Sequence, residues 1–366
     1  MGWGGRLACA LTVLLVMACA PPEQSVSGAE AGSASADETV HHWKLITTWP
    51  KNLPALGTAP ERLADMVDTM SRGRLKIKVY GAGELVPAFE VFDAVSSGTA
   101  EMGHGAAYYW RGKIPIAAIF STVPFGLTAQ EMNAWLHHGG GMELWRELYE
   151  PFGLIPMASG NTGVQMAGWF NREINSIDDI QGLKMRIPGL GGEVFQRAGG
   201  VAVALPGGEI FTALQTGIID ATEWVGPYND RAFGLHTIAK YYYYPGWHEP
   251  GATLEAIVNT QAFEALSPDL RRILEVASRA INQDMLDELT AKNSLALKDL
   301  METHGVELRR LPDDVIARLK EISREVVAEA AGEDELSQRI YRSFEAFREN
   351  VVSYHEISEK AYINAR

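Results

Sequence analysis

Hydrophobic and polar residues along positions 41–110 follow two different periods. The stretch "TAPERLADMVDTMSRG" carries apolar residues at helical spacing, namely Leu63, Met66, Val67 and Met70. "HHWKLITTW" and "RLKIKVYG" on either side predict strands, and "AEMGHGAAYYW" predicts a third strand that leads into an aromatic loop. With a short helix at "AFEVFDAVSSG", this alternation predicts a parallel sheet covered by helices.

A second run of alternating elements follows between residues 154 and 217. It consists of strands at "LIPMASG" and "VQMAGWF", a short helix and strand at "SIDDIQGLKMRIPG", a helix at "GGEVFQRAGG", a strand at "VAVALP" and a helix at "GEIFTALQTG". Two such runs predict two α/β lobes, discontinuous and covering roughly residues 41–160 and 161–260. The remaining residues, 261–366, are nearly all helical in pattern, and we expect these helices to close the lobes.

The final predicted helix has an apolar face formed by Ile340, Phe344, Phe347, Val351 and Tyr354. A face of this kind packs either on the rest of its own chain or on a second subunit. The pattern alone leaves both open.

The N-terminus is typical of an exported protein. Arg6 precedes an apolar run over residues 7–18 that is too short to span a bilayer. The run ends in Val-Met-Ala-Cys, which resembles a lipobox with Cys19 as the lipidated residue. Ordinary cleavage after "ACA" would leave Pro21 directly behind the cut, where proline is disfavoured. We therefore expect a signal peptide over residues 1–18, lipidation of Cys19, a flexible tether over 19–40 and a folded domain over 41–366.

The net charge and the cysteine content exclude two features, a nucleic-acid partner and a disulfide in the mature domain. The formal net charge of -14, without a basic stripe, argues against a nucleic-acid partner. The two cysteines, Cys9 and Cys19, both lie in the signal region, so the mature domain has no disulfide although it is exported.

Motifs of common enzymes are missing from the sequence, which contains no G-x-S-x-G, H-E-x-x-H, P-loop or C-x-x-C. His104, beside glycines in a strand, is expected to be structural, and the adjacent His137 and His138 to be surface residues. A secreted metal-dependent hydrolase or lyase using His248 and Glu249 is the alternative, but it lacks a third ligand at recognisable spacing. The sequence therefore favours a protein that is not an enzyme.

Arg186 stands out because it lies in the apolar strand "GLKMRIPG", just before a Pro-Gly turn. One interpretation is a structural ion pair with an acid elsewhere in the chain. The other is a clamp for a ligand carboxylate, since the planar guanidinium donates two parallel hydrogen bonds to such a group. The strand by itself does not separate the two.

Three further polar residues lie in apolar or aromatic stretches: Gln165 in "GVQMAGW", Glu223 in "DATEWVG" and Glu249 in "GWHEPG". Glu223 has no lysine or arginine within seven residues on either side, and a buried unpaired charge is costly. Two carboxylates and an amide offer the oxygen ligands that Ca²⁺ or Na⁺ prefers. Taken singly, each is more simply a capping or core hydrogen-bonding group.

Three long motifs together resemble the extracytoplasmic solute-binding subunits of TRAP transporters, in the branch that binds 2-oxo acids such as pyruvate. They are "GLKMRIPGLGGEVFQRAGG", "ALPGGEIFTALQTGIIDATEWVGPYND" and "AKYYYYPGWHEPG", and the resemblance runs from about Trp43 to the C-terminus. It implies a two-lobed periplasmic-binding-protein fold, type II-like, with a hinge and long C-terminal helices. It also implies a periplasmic protein that delivers a 2-oxo monocarboxylate to membrane subunits. The anchor through Cys19 is expected from the lipobox and is not general in the family.

The resemblance assigns a role to each candidate residue. Arg186 takes the place of the arginine that binds the substrate carboxylate. A cation, Na⁺ or Ca²⁺, is held by the residues matching Gln165, Glu223, the backbone carbonyl of Trp224 and Glu249. Aromatic residues line the pocket where Tyr108, Tyr109 and Trp110 fall, and of these we take Tyr108 and Trp110, with Gln165 and Glu223, as substrate-binding.

A cation between the two glutamates would turn their repulsion of an anionic substrate into coordination. With Ca²⁺, two glutamates and one substrate carboxylate balance Arg186 and the cation, and with Na⁺ the sum is minus one. A chelate of this kind selects for an oxygen on the carbon next to the carboxylate, so lactate or another 2-hydroxy acid is the alternative ligand. Relatives in this branch dimerise through a long C-terminal helix, for which residues 340–354 would serve.

Overall fold

The computed structural model describes residues 39–366 together with Met1. The predicted signal peptide, Cys19 and nearly all of the predicted tether lie outside the described residues. Within the part that is described, no helix is both long enough and apolar enough to cross a membrane.

The described strands and helices alternate in the first two thirds of the domain. The strands are β1 His41–Thr47, β2 Leu75–Tyr80, β3 Met102–Gly105, β4 Leu154–Asn161, β5 Gly168–Phe170, β6 Lys184–Arg186, β7 Val201–Val203, β8 Ala221–Thr222, β9 Tyr241–Tyr244, β10 Thr253–Asn259 and β11 Glu307–Arg310. The helices are α1 Ala59–Ser71, α2 Val91–Ser96, α3 Ala129–His138, α4 Gly141–Tyr149, α5 Gly189–Arg197, α6 Gly207–Gln215, α7 Pro227–Ala232, α8 Thr260–Glu264, α9 Pro268–Glu302, α10 Asp313–Ala330, α11 Glu335–Ile357 and α12 Glu359–Ala365.

The first sheet has the strand order β2-β1-β3-β10-β4. Strand β1 pairs in parallel with β2 and β3, and Leu45 lies opposite Val79 on one side and Met102 on the other. Helix α1 covers this sheet and buries Leu63 and Val67, which lie one helical turn apart. The parallel core predicted from the first run of elements is therefore confirmed.

The second sheet has the strand order β11-β9-β5-β8-β6-β7. Strand β6 pairs in parallel with β7 and β8, whereas β5 is antiparallel to both of its neighbours. The run of four tyrosines forms β9, a strand with two buried and two more exposed side chains. The expected mixed α/β fold with two sheets and long C-terminal helices is confirmed.

Two strands depart from the simple order along the chain. After β9 the chain returns to the first sheet, where β10 pairs antiparallel with β3 and β4. The mostly helical C-terminal segment contains β11, which pairs in parallel with β9 in the second sheet. Three of its four residues, "ELRR", are charged and give no strand pattern. This strand forms because Tyr241–Tyr244 offers an edge to pair with.

Helix α9 joins the two halves of the domain. Its 35 residues bury a stripe that includes Leu274, Ile281 and Met285. It contacts α1 and β4 beside the first sheet and α7 beside the second. Gln165 and Glu249 lie on segments that connect the two sheets, between β4 and β5 and between β9 and β10, and Glu223 directly follows β8.

Candidate functional site

Arg186 is the last residue of β6 and is 1% exposed. The parallel pairing of β6 with β8 places it opposite Thr222, and its backbone carbonyl accepts a hydrogen bond of 3.1 Å from the Glu223 N–H. The side chain of Arg186 then pairs with the Glu223 carboxylate through Nη1. Sheet pairing thus gives the isolated acid of the sequence its cationic partner.

The remaining donors of the Arg186 guanidinium reach other elements. Nε donates to the Leu205 carbonyl at 3.1 Å and Nη2 to the Tyr109 hydroxyl at 3.4 Å, while the guanidinium lies 5.2 Å from the centre of the Trp224 ring. Burial lowers the pKa of Arg186, but the Glu223 carboxylate together with Tyr109 and Tyr108 raises it by more, so the net shift is upward and the side chain stays charged.

Glu223 is also buried, with 1% exposure, and uses both carboxylate oxygens. Oε1 faces Arg186, and Oε2 lies 3.4 Å from Nε2 of His248. His248 comes from the loop between β9 and β10. The sequence analysis considered this histidine only as part of an enzyme, and its nearness to Glu223 depends on the fold.

Gln165 and Glu249 form the other half of the site. Gln165 Nε2 donates to Glu249 Oε2 at 2.7 Å and to Thr162 Oγ1 at 3.1 Å. The backbone N–H of Gln165 also donates to the backbone carbonyl of Glu249 at 3.1 Å. Burial raises the pKa of Glu249 well above its usual range, and the negative charge of Glu223 raises it further. A second negative charge at this position is therefore costly unless a cation lies close by.

The polar atoms of this site suit a hard cation. One ligand atom each from Glu223, His248 and Glu249 lies within 4.8 Å of the others. Gln165 Oε1 is buried and has no hydrogen-bond partner among the described residues. Two carboxylates and a free amide oxygen are the ligand type of Ca²⁺ and Na⁺, and His248 adds a nitrogen that those ions do not require.

The three aromatic candidates follow β3 in a turn of 3₁₀ helix, Ala107–Trp110. Tyr109 contacts Arg186 directly. The Tyr108 ring packs edge-on against the Tyr109 ring, with 4.8 Å between the ring centres. Burial, followed by the nearby charge of Glu249, raises the pKa of Tyr108. Trp110 instead donates its indole N–H to Glu255. The structure therefore brings Tyr108 and Tyr109 to the charged site and directs the Trp110 indole toward β10.

Other polar residues near the site escaped the sequence analysis. Trp224 donates its indole N–H to Asn229 Oδ1 at 2.6 Å. Asp230 accepts backbone hydrogen bonds from Val225 at 3.1 Å and from Gly226 at 3.0 Å, and so shapes the loop behind Trp224. Nothing in "GPYND" distinguishes these residues from ordinary helix-start residues.

His104 has the structural place expected for it. It is fully buried, its Nδ1 accepts a hydrogen bond of 2.8 Å from the Trp49 indole, and its Nε2 lies 3.0 Å from the Ser159 carbonyl. Burial lowers the pKa of His104 to about 4, so the ring is neutral at neutral pH.

Two α/β sheets joined by a long helix, with a buried ionic site at their strand ends, form an arrangement typical of a ligand-binding site. The model of the bacterial extracellular solute-binding proteins, family 7 (DctP), matches residues 45–334. The chain belongs to this family, as its sequence motifs led us to expect.

Similar proteins of known structure or name agree with this assignment. The monocarboxylate 2-oxoacid-binding periplasmic protein of Nostoc sp. is 43% identical over 322 residues, which are 88% of each chain. A TRAP periplasmic solute-binding protein from Pseudoalteromonas atlantica, with bound sodium and pyruvate, superimposes with a TM-score of 0.87 at 42% identity and covers 90% of this chain and 100% of its own. One from Colwellia psychrerythraea, with bound calcium and pyruvate, has a TM-score of 0.86 at 41% identity over the same shares.

Proposed function

We propose that this protein is the periplasmic solute-binding subunit of a TRAP transporter, and that it captures a 2-oxo monocarboxylate such as pyruvate for delivery to the membrane subunits. The observation that carries the proposal is the buried pair of Arg186 and Glu223, with Glu249 close to it and a buried Gln165 amide oxygen that has no partner among the described residues. The pyruvate bound by the Pseudoalteromonas and Colwellia proteins supports the same ligand class.

Arg186 is the residue we assign to the substrate carboxylate. Its guanidinium is fixed by Leu205 and Trp224 and donates toward Tyr109, so little side-chain freedom is left to lose when a ligand binds. A fork held in this way recognises a carboxylate by two parallel hydrogen bonds. Tyr109 lies beside the guanidinium, and Tyr108 packs on Tyr109.

Gln165, Glu223, the backbone carbonyl of Trp224 and Glu249 are the groups that we assign to a cation. A bound Na⁺ or Ca²⁺ would neutralise the glutamates and accept oxygens of the substrate. An acid without an oxygen next to its carboxylate would leave that cation short of a ligand. The preferred substrate is therefore a 2-oxo acid, and lactate, which keeps an oxygen at that carbon, is the second candidate.

We infer that the site binds its ligand without converting it. A metal-dependent hydrolase or lyase is the rival, because the structure gathers Glu223 with His248 and Glu249. In that arrangement, however, Glu223 Oε1 faces Arg186 and Oε2 lies beside His248, so both oxygens already have partners within the site and neither is placed as a free general base. Turnover of pyruvate or lactate by the purified protein would favour the enzyme.

The division into lobes that we propose follows the two sheets. Residues of about 41–160 carry most of the first sheet and residues of about 161–260 most of the second. Strand β10 crosses back to the first sheet and β11, within the closing segment 261–366, joins the second. We propose that lipidation of Cys19 holds the domain at the membrane, which mass spectrometry of the mature N-terminus would test.

The experiment that tests the function is a thermal melt of the mature protein with pyruvate, lactate or succinate, each with and without a chelator of divalent cations. A ligand at a hundred times its dissociation constant adds about 2.7 kcal/mol to the free energy of unfolding. We expect the largest shift of the midpoint with pyruvate. Loss of that shift on chelation would identify Ca²⁺, whereas its persistence with dependence on NaCl would identify Na⁺.

Two variants make this test specific to the site. Arg186→Lys keeps the positive charge but loses the fork, and we expect its affinity for pyruvate to fall by about tenfold or more, as for a lost charge-assisted hydrogen bond. Glu223→Gln should weaken pyruvate binding chiefly by lowering the affinity of the site for the cation. Arg197→Lys, in an exposed ion pair with Glu329, serves as the control. Full affinity in Arg186→Lys would remove the clamp from the proposal.

A further inference from the structure

We propose that Asn229 is a positioning residue that latches the two halves of the domain together and at the same time fixes Trp224 against Arg186. The proposal rests on the proposed function, because it concerns how a ligand is retained in the same site. Asn229 itself is not assigned to the ligand or to the cation. Its role is to couple closure of the two halves to the geometry of the clamp.

The side chain of Asn229 is fully buried and uses both ends of its amide. Oδ1 accepts the hydrogen bond of 2.6 Å from the Trp224 indole, and Nδ2 donates to the backbone carbonyl of Pro54. Asn229 lies in α7, directly behind the loop that carries Glu223 and Trp224. Pro54 lies between β1 and α1, beside the first sheet. One amide therefore bridges the two halves of the domain.

The Trp224 indole has little room to move independently of this bridge. A Cβ atom on Gly207 would lie only 2.4 Å from its ring, and the Phe233 ring packs against it at 5.0 Å. The Arg186 guanidinium also lies against the Trp224 ring, 5.2 Å from its centre. A shift of Asn229 is therefore transmitted through the indole to the residue that we assign to the substrate carboxylate.

Only an amide of this length satisfies both neighbours. The Trp224 indole needs an acceptor and the Pro54 carbonyl needs a donor, which is the pairing that asparagine supplies. Separation of the two halves would break the bond to Pro54, and in a closed, dry interface that bond is not replaced by water. Asn229 thus favours the closed arrangement, and it does so through the wall of the binding site.

A second contact between the halves provides a comparison. Arg111 donates to the Gly189 carbonyl at 2.8 Å and pairs with Glu193, but the side chains of Arg111 and Glu193 are 35% and 34% exposed. Water competes for an ion pair of that exposure, so it contributes little to holding the halves together. The buried Asn229 bridge is the contact that we expect to control ligand release.

The test compares Asn229→Asp with the wild-type protein and with Arg111→Ala. Aspartate has nearly the same shape and still accepts from Trp224, but when ionised it cannot donate to Pro54. We expect the rate of pyruvate dissociation, measured by a stopped-flow lactate chase with tryptophan fluorescence, to rise roughly ten- to hundredfold in Asn229→Asp, as for one buried hydrogen bond. The association rate should change by less than about threefold, since affinity differences within one site lie mostly in dissociation. Arg111→Ala should change dissociation by less than about threefold.

A second variant keeps the proposal testable if Asn229→Asp does not fold. Trp224→Phe retains a ring over Arg186 and removes the indole N–H, so dissociation should again be faster. In the double variant the two effects should be less than additive, because both act on one bridge. Additive effects, or a dissociation rate equal to that of the wild type, would overturn the latch.

Small-angle scattering without ligand separates this proposal from the proposed function. The ligand-free Asn229→Asp protein should have a larger radius of gyration than the wild type, because its halves separate more often. Identical scattering curves would refute the latch whatever the ligand is. Absence of binding by the wild type to every acid tested would instead refute the proposed function, while the scattering comparison would still decide the latch.

Discussion

At the scale of single residues, the site is built from charges that are buried in pairs. Arg186 and Glu223 are both almost inaccessible to solvent, and each is the partner that the other needs. Truncating one member of a buried pair typically costs about 3–5 kcal/mol, because the remaining charge is left without compensation. For this reason variants that keep the charge or the shape are better tests of binding than alanine.

Glu255 provides a prediction about stability and pH. Its side chain is fully buried in β10, its Oε1 accepts hydrogen bonds from Trp110 and Tyr149, and its Oε2 has no partner among the described residues. Burial raises the pKa of Glu255 to about 8, and the two hydrogen bonds lower it only in part. The ordinary pKa of glutamate is about 4.3. At pH values between about 4.3 and 8, the folded state therefore binds more protons than the unfolded state.

The free energy of unfolding should therefore fall as pH rises from about 5 to 8, by a Glu255 contribution on the order of 4 kcal/mol. Glu255→Gln cannot ionise and removes this dependence, so the melting temperature of the variant relative to wild type should rise from pH 5 to pH 9. Thermal melts across this range measure it, with the exposed Glu264→Gln as the control. Parallel pH profiles for wild type and Glu255→Gln would contradict the prediction.

At the scale of elements, the apolar face of α11 divides into two parts. Ile340 and Phe344 are fully buried, Phe347 and Val351 are partly buried, and Tyr354 is 63% exposed. The first part packs on α3 and α4, where the Phe344 ring meets Trp135 edge-on at 5.2 Å. Of the two interpretations that the sequence left open, packing on the chain itself applies to this first part.

Phe344→Ala should therefore destabilise the domain by about 3–5 kcal/mol, as expected for removing a fully buried aromatic ring. Chemical denaturation followed by circular dichroism measures this change. Tyr354→Ala, on the same helix, is the control and should lie within about 0.5 kcal/mol of wild type in dilute solution. A Phe344→Ala protein as stable as Tyr354→Ala would show that α11 is not docked as described.

At the scale of the whole molecule, helix α9 and the two crossing strands tie both sheets into one domain. Strand β10 inserts between β3 and β4, while β11 extends the second sheet beyond β9. Connections of this kind let two halves move as rigid bodies about a few chain crossings. The buried Asn229 bridge that we propose lies in α7, which packs on α9, and it reaches the segment between β1 and α1.

The uncovered end of the chain leads to a prediction about assembly. Beyond Tyr354, the apolar residues Ile357, Tyr362 and Ile363 are 79%, 66% and 51% exposed. We propose that this surface covers its counterpart in a second copy of the chain, as a symmetric interface would. Ile357→Glu should then convert a dimer to a monomer in sedimentation velocity. Leu295→Glu, at another exposed apolar position on α9, should leave the dimer intact. A wild-type protein that stays monomeric at every concentration tested would exclude the interface.

The sequence by itself determined the elements and the candidate residues. Helix α1 and strand β2 follow from the periodicity of their own side chains, because burial on one face is a local property of a helix or strand. The motifs around Arg186 and Glu223 likewise sufficed to indicate the family. The short, mostly charged β11 and the crossing of β10 were not predicted, since these strands are extended through pairing with partners far away in the chain.

The tertiary structure alone decided which groups face one another. Arg186 and Glu223 are separated by 37 residues, and Asn229 and Pro54 by 175. No spacing rule connects residues at such distances, because the contact depends on sheet order and on how two sheets are placed by α9. The same packing directed Tyr109 to Arg186 and Trp110 to Glu255, although the two aromatics are neighbours in sequence. Residue types set the chemistry that is available, and long-range packing selects the pairs that use it.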